Sequence, residues 1–283
     1  MDTFTRGALR FEVSDAGRRD GEPVVLLHGF PADRHCWDGV TARLVDAGYR
    51  TLAPDQRGYT AGAAPPGRRD YRVDLLAGDV VALADAAAVD RFHLVGHDWG
   101  AAVAWHLAGA YPERVATLTA LSVPHPAAMR ATLVSGGQAL RSWYMLAFQV
   151  PGTEQVLAAR RGELLRRVLG ASGLGPEAAA RYAARARTPD GLRGPLAWYR
   201  ALPWSGRTPT HRSPVPTALV WGQRDRFITG AAARACGRFV TGPYELVEAP
   251  ASHWLPEEEP ELVARTVLGL AGRHPVGAGP AGR

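Results

Sequence analysis

The chain has 283 residues, 46% of them hydrophobic and 8% aromatic, which excludes a disordered or fibrous protein and suffices for one large domain or a core carrying an insertion. No apolar run reaches the roughly 18 residues that span a bilayer, and Met1 to Arg10 lacks the apolar stretch of a secretory signal, so a cytoplasmic protein without a membrane partner is expected. The net charge of +6 arises from 33 basic residues, all arginine, scattered among 27 acids, which reads as a solvated surface and not as a nucleic-acid face.

From the N-terminus, the first clear element is Pro23 to Leu27 (PVVLL), a continuous apolar run of the kind buried on both faces of a parallel sheet. A helical pattern covers Trp37 to Ala47, and Tyr49 to Ala53 (YRTLA) reads as the next strand. A helix over about Arg72 to Ala88 precedes the strand Phe92 to Val95 (FHLV). The helix Trp99 to Ala110 is stopped by Tyr111-Pro112, and Val115 to Val123 closes this half as a strand. Strands alternating with helices predict βαβ units, hence an α/β fold with a mostly parallel sheet flanked by helices.

From Ala127 to Arg212 no strand-like run occurs. The segment is rich in Ala, Arg and Leu with helical periodicity, interrupted at Pro151-Gly152, Gly170 to Gly175 and Pro189. Strand signals resume at Thr217 to Trp221 (TALVW) and Tyr244 to Val247 (YELV), each followed by a helical pattern. A sheet interrupted by helices predicts a core formed by residues 1–126 and 213–283 and an inserted helical cap over 127–212. Gly272 to Arg283 is Gly/Pro-rich and is expected to fray. Cys36 and Cys236 allow one disulfide at most, and a large core makes two idle buried thiols the expectation. No Cys/His cluster has metal-ligand spacing, and no glycine-rich phosphate loop follows a strand.

Gly96-His97-Asp98-Trp99-Gly100 lies directly between a strand and a helix. It has the shape of a nucleophile elbow, in which small residues flank a central side chain raised above the carboxyl edge of the sheet. Here the occupant is Asp98, which could otherwise cap the helix that follows. His28-Gly29-Phe30-Pro31 ends the preceding buried strand, where such a fold supplies one oxyanion-hole N–H and the residue after the nucleophile supplies the other. These donors are assigned to Phe30 and Trp99. Asp225 follows the strand TALVWG and His253 follows YELVEA, which gives the chain order nucleophile, acid, histidine. His125 is the rival base, but no obvious acid follows it. A carboxylate can displace at a saturated carbon and leave an ester that water cleaves, whereas a serine would leave an ether. Asp98 therefore points to alkyl transfer and not to ester or amide hydrolysis.

The stretches HGFP (28–31), PDQRGY (54–59), GHDWGAAVAW (96–105), SVPHP (122–126), WGQRD (221–225) and SHW (252–254) together resemble the epoxide hydrolases of α/β-hydrolase fold. The resemblance covers nearly the whole chain outside the middle of the cap. It implies two cap tyrosines that hold the epoxide oxygen. The matching contexts are Trp143-Tyr144-Met145-Leu146-Ala147-Phe148-Gln149, before Pro151-Gly152, and Trp198-Tyr199-Arg200, near the cap's end. These roles therefore pass to Tyr144 and Tyr199. The implied reaction opens an epoxide to a vicinal diol through an ester on Asp98, which water activated by His253 then hydrolyses, with no cofactor. The aromatic cap residues Trp143, Phe148, Trp198 and Trp204 are expected to bind a bulky, lipophilic epoxide. A lone chain and a homodimer are both compatible with the sequence. Two alternatives stay open: a haloalkane dehalogenase with the same triad, although an Asn commonly stands where this chain has Phe30, and a non-catalytic binding or regulatory protein on the same scaffold.

Overall fold

The computed structural model describes residues 1–134, 136–205 and 210–277. An eight-stranded sheet runs through the molecule in the order β1-β2-β4-β3-β5-β6-β7-β8. Its strands are β1 (Thr3–Arg6), β2 (Leu9–Ala16), β3 (Pro23–Leu27), β4 (Arg50–Pro54), β5 (Phe92–His97), β6 (Val115–Leu121), β7 (Thr217–Gly222) and β8 (Tyr244–Ala249). All neighbours from β4 to β8 pair in parallel, and β2 lies antiparallel to both β1 and β4. β4, β5, β6 and β7 are buried along their whole length, and their inner polar groups find partners: Arg50 binds Asp15, and His93 binds Thr117 Oγ1.

The β1–β2 hairpin has no counterpart among the expected elements. Its signal was the alternation Phe11-Glu12-Val13-Ser14, with Phe11 and Val13 buried and Glu12 exposed, after a left-handed turn at Gly7.

Helices α1 (Asp38–Asp46), α2 (Val73–Ala86) and α3 (Trp99–Ala110) connect the first parallel strands. Between β6 and β7 the described chain forms only helices: α4 (Pro126–Ala131), α5 (Gln138–Arg141), α6 (Trp143–Ala147), α7 (Thr153–Ala171), α8 (Pro176–Ala183), α9 (Asp190–Arg200) and α10 (Leu202–Ser205). α7 is in fact two helices, because Arg160, Arg161 and Gly162 take positive φ and break it where no interruption was expected. The C-terminal part adds α11 (Gly230–Ala235), α12 (Leu255–Glu258) and α13 (Pro260–Arg273). α1 packs with α13, and α2 with α3. Of the Gly/Pro-rich tail expected to fray, α13 takes up Gly272 and Arg273, and residues 278–283 lie outside the described residues. Both cysteines are free and buried. Among the described residues no helix is long and apolar enough to cross a membrane.

The insertion sits on the sheet's carboxyl edge. Trp198 of α9 donates its indole N–H to the Arg57 carbonyl at 2.7 Å. Trp254 donates to Ser172 Oγ at 3.0 Å, and the Tyr182 hydroxyl donates to the Glu257 carboxyl.

Candidate active site

Asp98 stands between β5 and α3 with φ 53° and ψ −118°, a strained conformation that costs on the order of 1–3 kcal/mol and is held by its surroundings. The flanking glycines allow it. A Cβ on Gly96 would lie 2.4 Å from the Gly100 carbonyl oxygen, and one on Gly100 would lie 2.1 Å from that of Leu27. The elbow is thus wedged against the end of β3, and this presents the Asp98 carboxylate to the loop that follows that strand. There the Phe30 N–H donates to Asp98 Oδ1 at 2.8 Å.

The other carboxylate oxygen, Oδ2, lies 3.4 Å from His253 Nε2. His253 Nδ1 is 2.8 Å from Asp225 Oδ2, which fixes that nitrogen as the N–H donor. Asp225 is fixed in turn: its Oδ1 accepts from the Phe227 and Ile228 N–H groups at 2.7 and 3.0 Å. Burial by itself would lower the pKa of His253, but the Asp225 and Asp98 carboxylates override it and raise the imidazole to about 10. Burial would likewise raise Asp98, yet its hydrogen bond and charge interaction with His253 hold it below the ordinary carboxylate range. In the resting site an imidazolium therefore sits between two carboxylates.

Two residues that the sequence did not point to hold His253 in place. The His253 carbonyl accepts from His97 Nε2 at 2.8 Å and from Ser122 Oγ at 2.7 Å. Burial keeps His97 neutral, with a pKa lowered to about 4, so it serves as a fixed donor. His97 lies inside the elbow pentapeptide and Ser122 opens SVPHP, but nothing in their spacing connects either to a loop more than 130 residues away. Phe227 was also missed; its ring lies 4.9 Å from that of His253 and 5.4 Å from that of Tyr144.

The cap brings Tyr144 from α6 and Tyr199 from α9 together above Asp98, their ring centroids 6.1 Å apart. Tyr199 packs edge-on against Trp99 at 5.1 Å and Phe30 at 5.3 Å. Phe148 closes the cluster, 4.8 Å from Tyr199 and 5.6 Å from Tyr144. Burial, with the Asp98 charge added to it, pushes both phenols well above their ordinary pKa, so both remain protonated donors. A cavity of about 390 Å³ reaches Asp98 and Trp99 and runs between α3 and the cap, lined by Val73, Trp105, Met129, Leu133, Met145 and Leu202. This volume and apolar lining suit a small lipophilic molecule.

Asp98, His253, Asp225, Phe30, Trp99, Tyr144, Tyr199 and Phe148 thus converge on one place. Three aromatic expectations are corrected. Trp143 is 67% exposed and lines no part of the cavity, because α6 turns it outward when Tyr144 turns in. Trp198 is fully buried behind Trp99, at 5.8 Å, and serves the junction between cap and core. Trp204 lies under the Arg69 guanidinium, 5.5 Å from it. His125, the rival base, is engaged elsewhere: its Nδ1 accepts from the Ala127 N–H and its Nε2 donates to the His211 carbonyl.

A family model described as alpha/beta hydrolase fold matches residues 22–260. Over 268 residues the chain is 37% identical to the AB hydrolase superfamily protein YfhM of Bacillus subtilis, covering 92% of this chain and 93% of that protein. It is 31% identical over 305 residues to epoxide hydrolase A of Mycobacterium tuberculosis, with 92% and 93% covered. The crystal structure of epoxide hydrolase A from Mycobacterium thermoresistibile is similar throughout, with a TM-score of 0.83 at 27% identity, covering 97% of this chain and 98% of that one.

Proposed function

Because the chain belongs to the α/β-hydrolase family and is a hydrolase, we propose that it opens lipophilic epoxides to vicinal diols through an ester on Asp98. The observation that carries this reading is the pair of protonated phenols, Tyr144 and Tyr199, near enough to Asp98 for its charge to act on both, beside a largely apolar cavity that reaches Asp98. An epoxide's leaving group is a basic alkoxide still tethered to the product, and it needs a donor to depart.

In the first step Asp98 Oδ2 forms a bond to one ring carbon and the C–O bond of that carbon breaks. The ring oxygen, held by Tyr144 and Tyr199, ends as a hydroxyl after taking one proton. Esterification removes the charge of Asp98, one of the two carboxylates that hold His253 protonated. The imidazole then falls toward neutrality, and the proton it releases balances the one gained by the ring oxygen. In the second step neutral His253, oriented by Asp225, takes a proton from water as that water attacks Asp98 Cγ. The developing oxyanion is Oδ1, the atom the Phe30 N–H already holds, and Trp99 supplies the second N–H. The diol leaves and the carboxylate returns.

The test is a single turnover of styrene oxide in heavy-oxygen water with enzyme in excess. The label is expected in Asp98 and not in the diol. Label in the diol alone means that water attacks the ring directly, which overturns the covalent route.

A further inference from the structure

Among the described residues nine large hydrophobic side chains are exposed, and all of them fall between Leu133 and Val168 in the inserted helices. Four follow one another at spacings of three, three and four along α5, α6 and the turn that ends α6: Leu140, Trp143, Leu146 and Val150, from 57% to 83% exposed. The opposite side of the run is turned inward. Gln138 is buried and donates to the Phe227 carbonyl at 2.7 Å, while Tyr144, Met145 and Phe148 pack against the core. Arg141 is the one charged residue between Gln138 and Val150, and its guanidinium is drawn inward to the Asp225 and Ile228 carbonyls. Nothing charged is left to blunt the outer side. A helical run apolar on both sides is ordinarily buried on both.

Charge identifies what covers it. Residues 127–212 contain 13 arginines against four acids, a net +9, which leaves the remainder of the +6 chain at −3. A second copy docked crest to crest would bring two such cationic segments together, whereas an anionic surface complements them. Arg160, Arg161 and Arg187 are exposed and make no ion pair among the described residues. An exposed Trp with leucines, in a segment that also carries exposed arginines outside any ion pair, is the composition of an interfacial helix pair on anionic lipid. We propose that the inserted helices dock on an anionic lipid bilayer through the crest of Leu140, Trp143, Leu146 and Val150. This revises the expectation of no membrane partner. The docked run also walls the cavity: Ser142 and Met145 line it, as does Leu133, itself 43% exposed. A lipophilic substrate dissolved in the bilayer then meets the cavity directly; this last step rests on the epoxide reading, and the docking does not.

Co-sedimentation with vesicles of phosphatidylcholine alone, and of phosphatidylcholine with phosphatidylglycerol, tests the docking. The protein is expected to pellet with the anionic vesicles only, and less as salt rises. Leu140→Glu/Leu146→Glu should weaken binding at least about tenfold, since two buried leucines are lost. Arg160→Gln/Arg161→Gln should weaken it about fivefold or more through charge alone. Thermal unfolding should be unchanged in both variants, and the arginine pair decides the matter if the leucine pair does not fold. Equal pelleting with neutral vesicles, no pelleting, or full binding by the folded variants overturns the proposal. So does a wild-type dimer in light scattering that Leu140→Glu/Leu146→Glu dissociates, because the crest then belongs to a second copy. None of these outcomes depends on epoxide turnover.

Discussion

The sheet-bearing core and the inserted helices solve opposite problems. The core fixes charge: Asp98, His253 and Asp225 are buried, each held by at least one further donor or acceptor, with Asp98 locked in a strained turn. The insertion contributes Tyr144 on the short α6, whose Trp143 and Leu146 lie in solvent, and Tyr199 on α9, whose large apolar residues are buried. On the proposed mechanism one half would supply the covalent chemistry and the other the leaving-group assistance and the substrate's surroundings. Variants in the two halves should therefore fail at different steps.

The largest effects belong to the core. Asp98→Ala is expected to abolish turnover. His253→Gln should still form the ester but not release it, so mass spectrometry should find the protein heavier by one substrate; an unmodified mass with a substrate that wild type consumes removes His253 from the second step. Asp225→Asn should slow turnover by roughly 10⁴-fold, as in the serine triad, through loss of the correct tautomer. In the cap, Tyr144→Phe or Tyr199→Phe should cost roughly 10²-fold in ring opening, and the pair far more. Tested on a bromoalkane, the double variant separates the alternatives, because a halide needs no phenol. Efficient bromide release retained by the double variant points to a dehalogenase.

The boundary between the halves carries its own pH dependence. Glu257 of α12 is partly buried, and its pKa is raised to about 7, mainly by desolvation, against the pull of the Tyr182 hydroxyl and Arg181. Between the unfolded value of about 4.5 and 7, the folded protein keeps a proton that the unfolded chain has lost. The stability this group contributes is thus complete at low pH and is lost as pH rises through 7, a difference of about 3 kcal/mol. Glu257→Gln should flatten the fall in thermal stability from pH 5 to 8 while leaving the Tyr182 acceptor in place. An unchanged slope means that another group titrates.

How much of this was legible in the sequence follows the same division. β3, β5, β6 and β7 were readable because a strand buried on both faces is predominantly apolar, with His93, Thr117 and Thr119 as inner exceptions, and α3 begins and ends where Asp98 and Tyr111-Pro112 place it. That Asp98, Asp225 and His253 lie together was readable because each follows the carboxyl end of a parallel strand. The hairpin β1–β2 was not, since a short edge alternation is a weak signal against its polar surroundings. His97 and Ser122 were invisible because they act on a main-chain carbonyl, which no sequence motif records. The direction of the cap aromatics was also beyond reach: Trp143 and Tyr144 are neighbours, and only the packed orientation of α6 sends one outward and the other to the nucleophile.

The smallest expected effect sharpens the comparison most. Gly58 of the core and Gly194 of α9 meet without side chains: a Cβ on Gly194 would fall 2.1 Å from the Gly58 carbonyl oxygen, and no flexible side chain is there to yield. Gly194→Ala must therefore push α9 away from the core, at a cost of about 1–3 kcal/mol. Four residues along, Trp198 anchors that helix to the Arg57 carbonyl, and Tyr199 follows it. The shift should displace the Tyr199 hydroxyl while leaving Asp98, His253 and Asp225 untouched, since none of them contacts α9 through a hydrogen bond. Single-turnover measurements should then find ester formation slowed and ester hydrolysis at the wild-type rate. Equal slowing of both steps means that the core relies on the cap for its own geometry, and the division of labour fails.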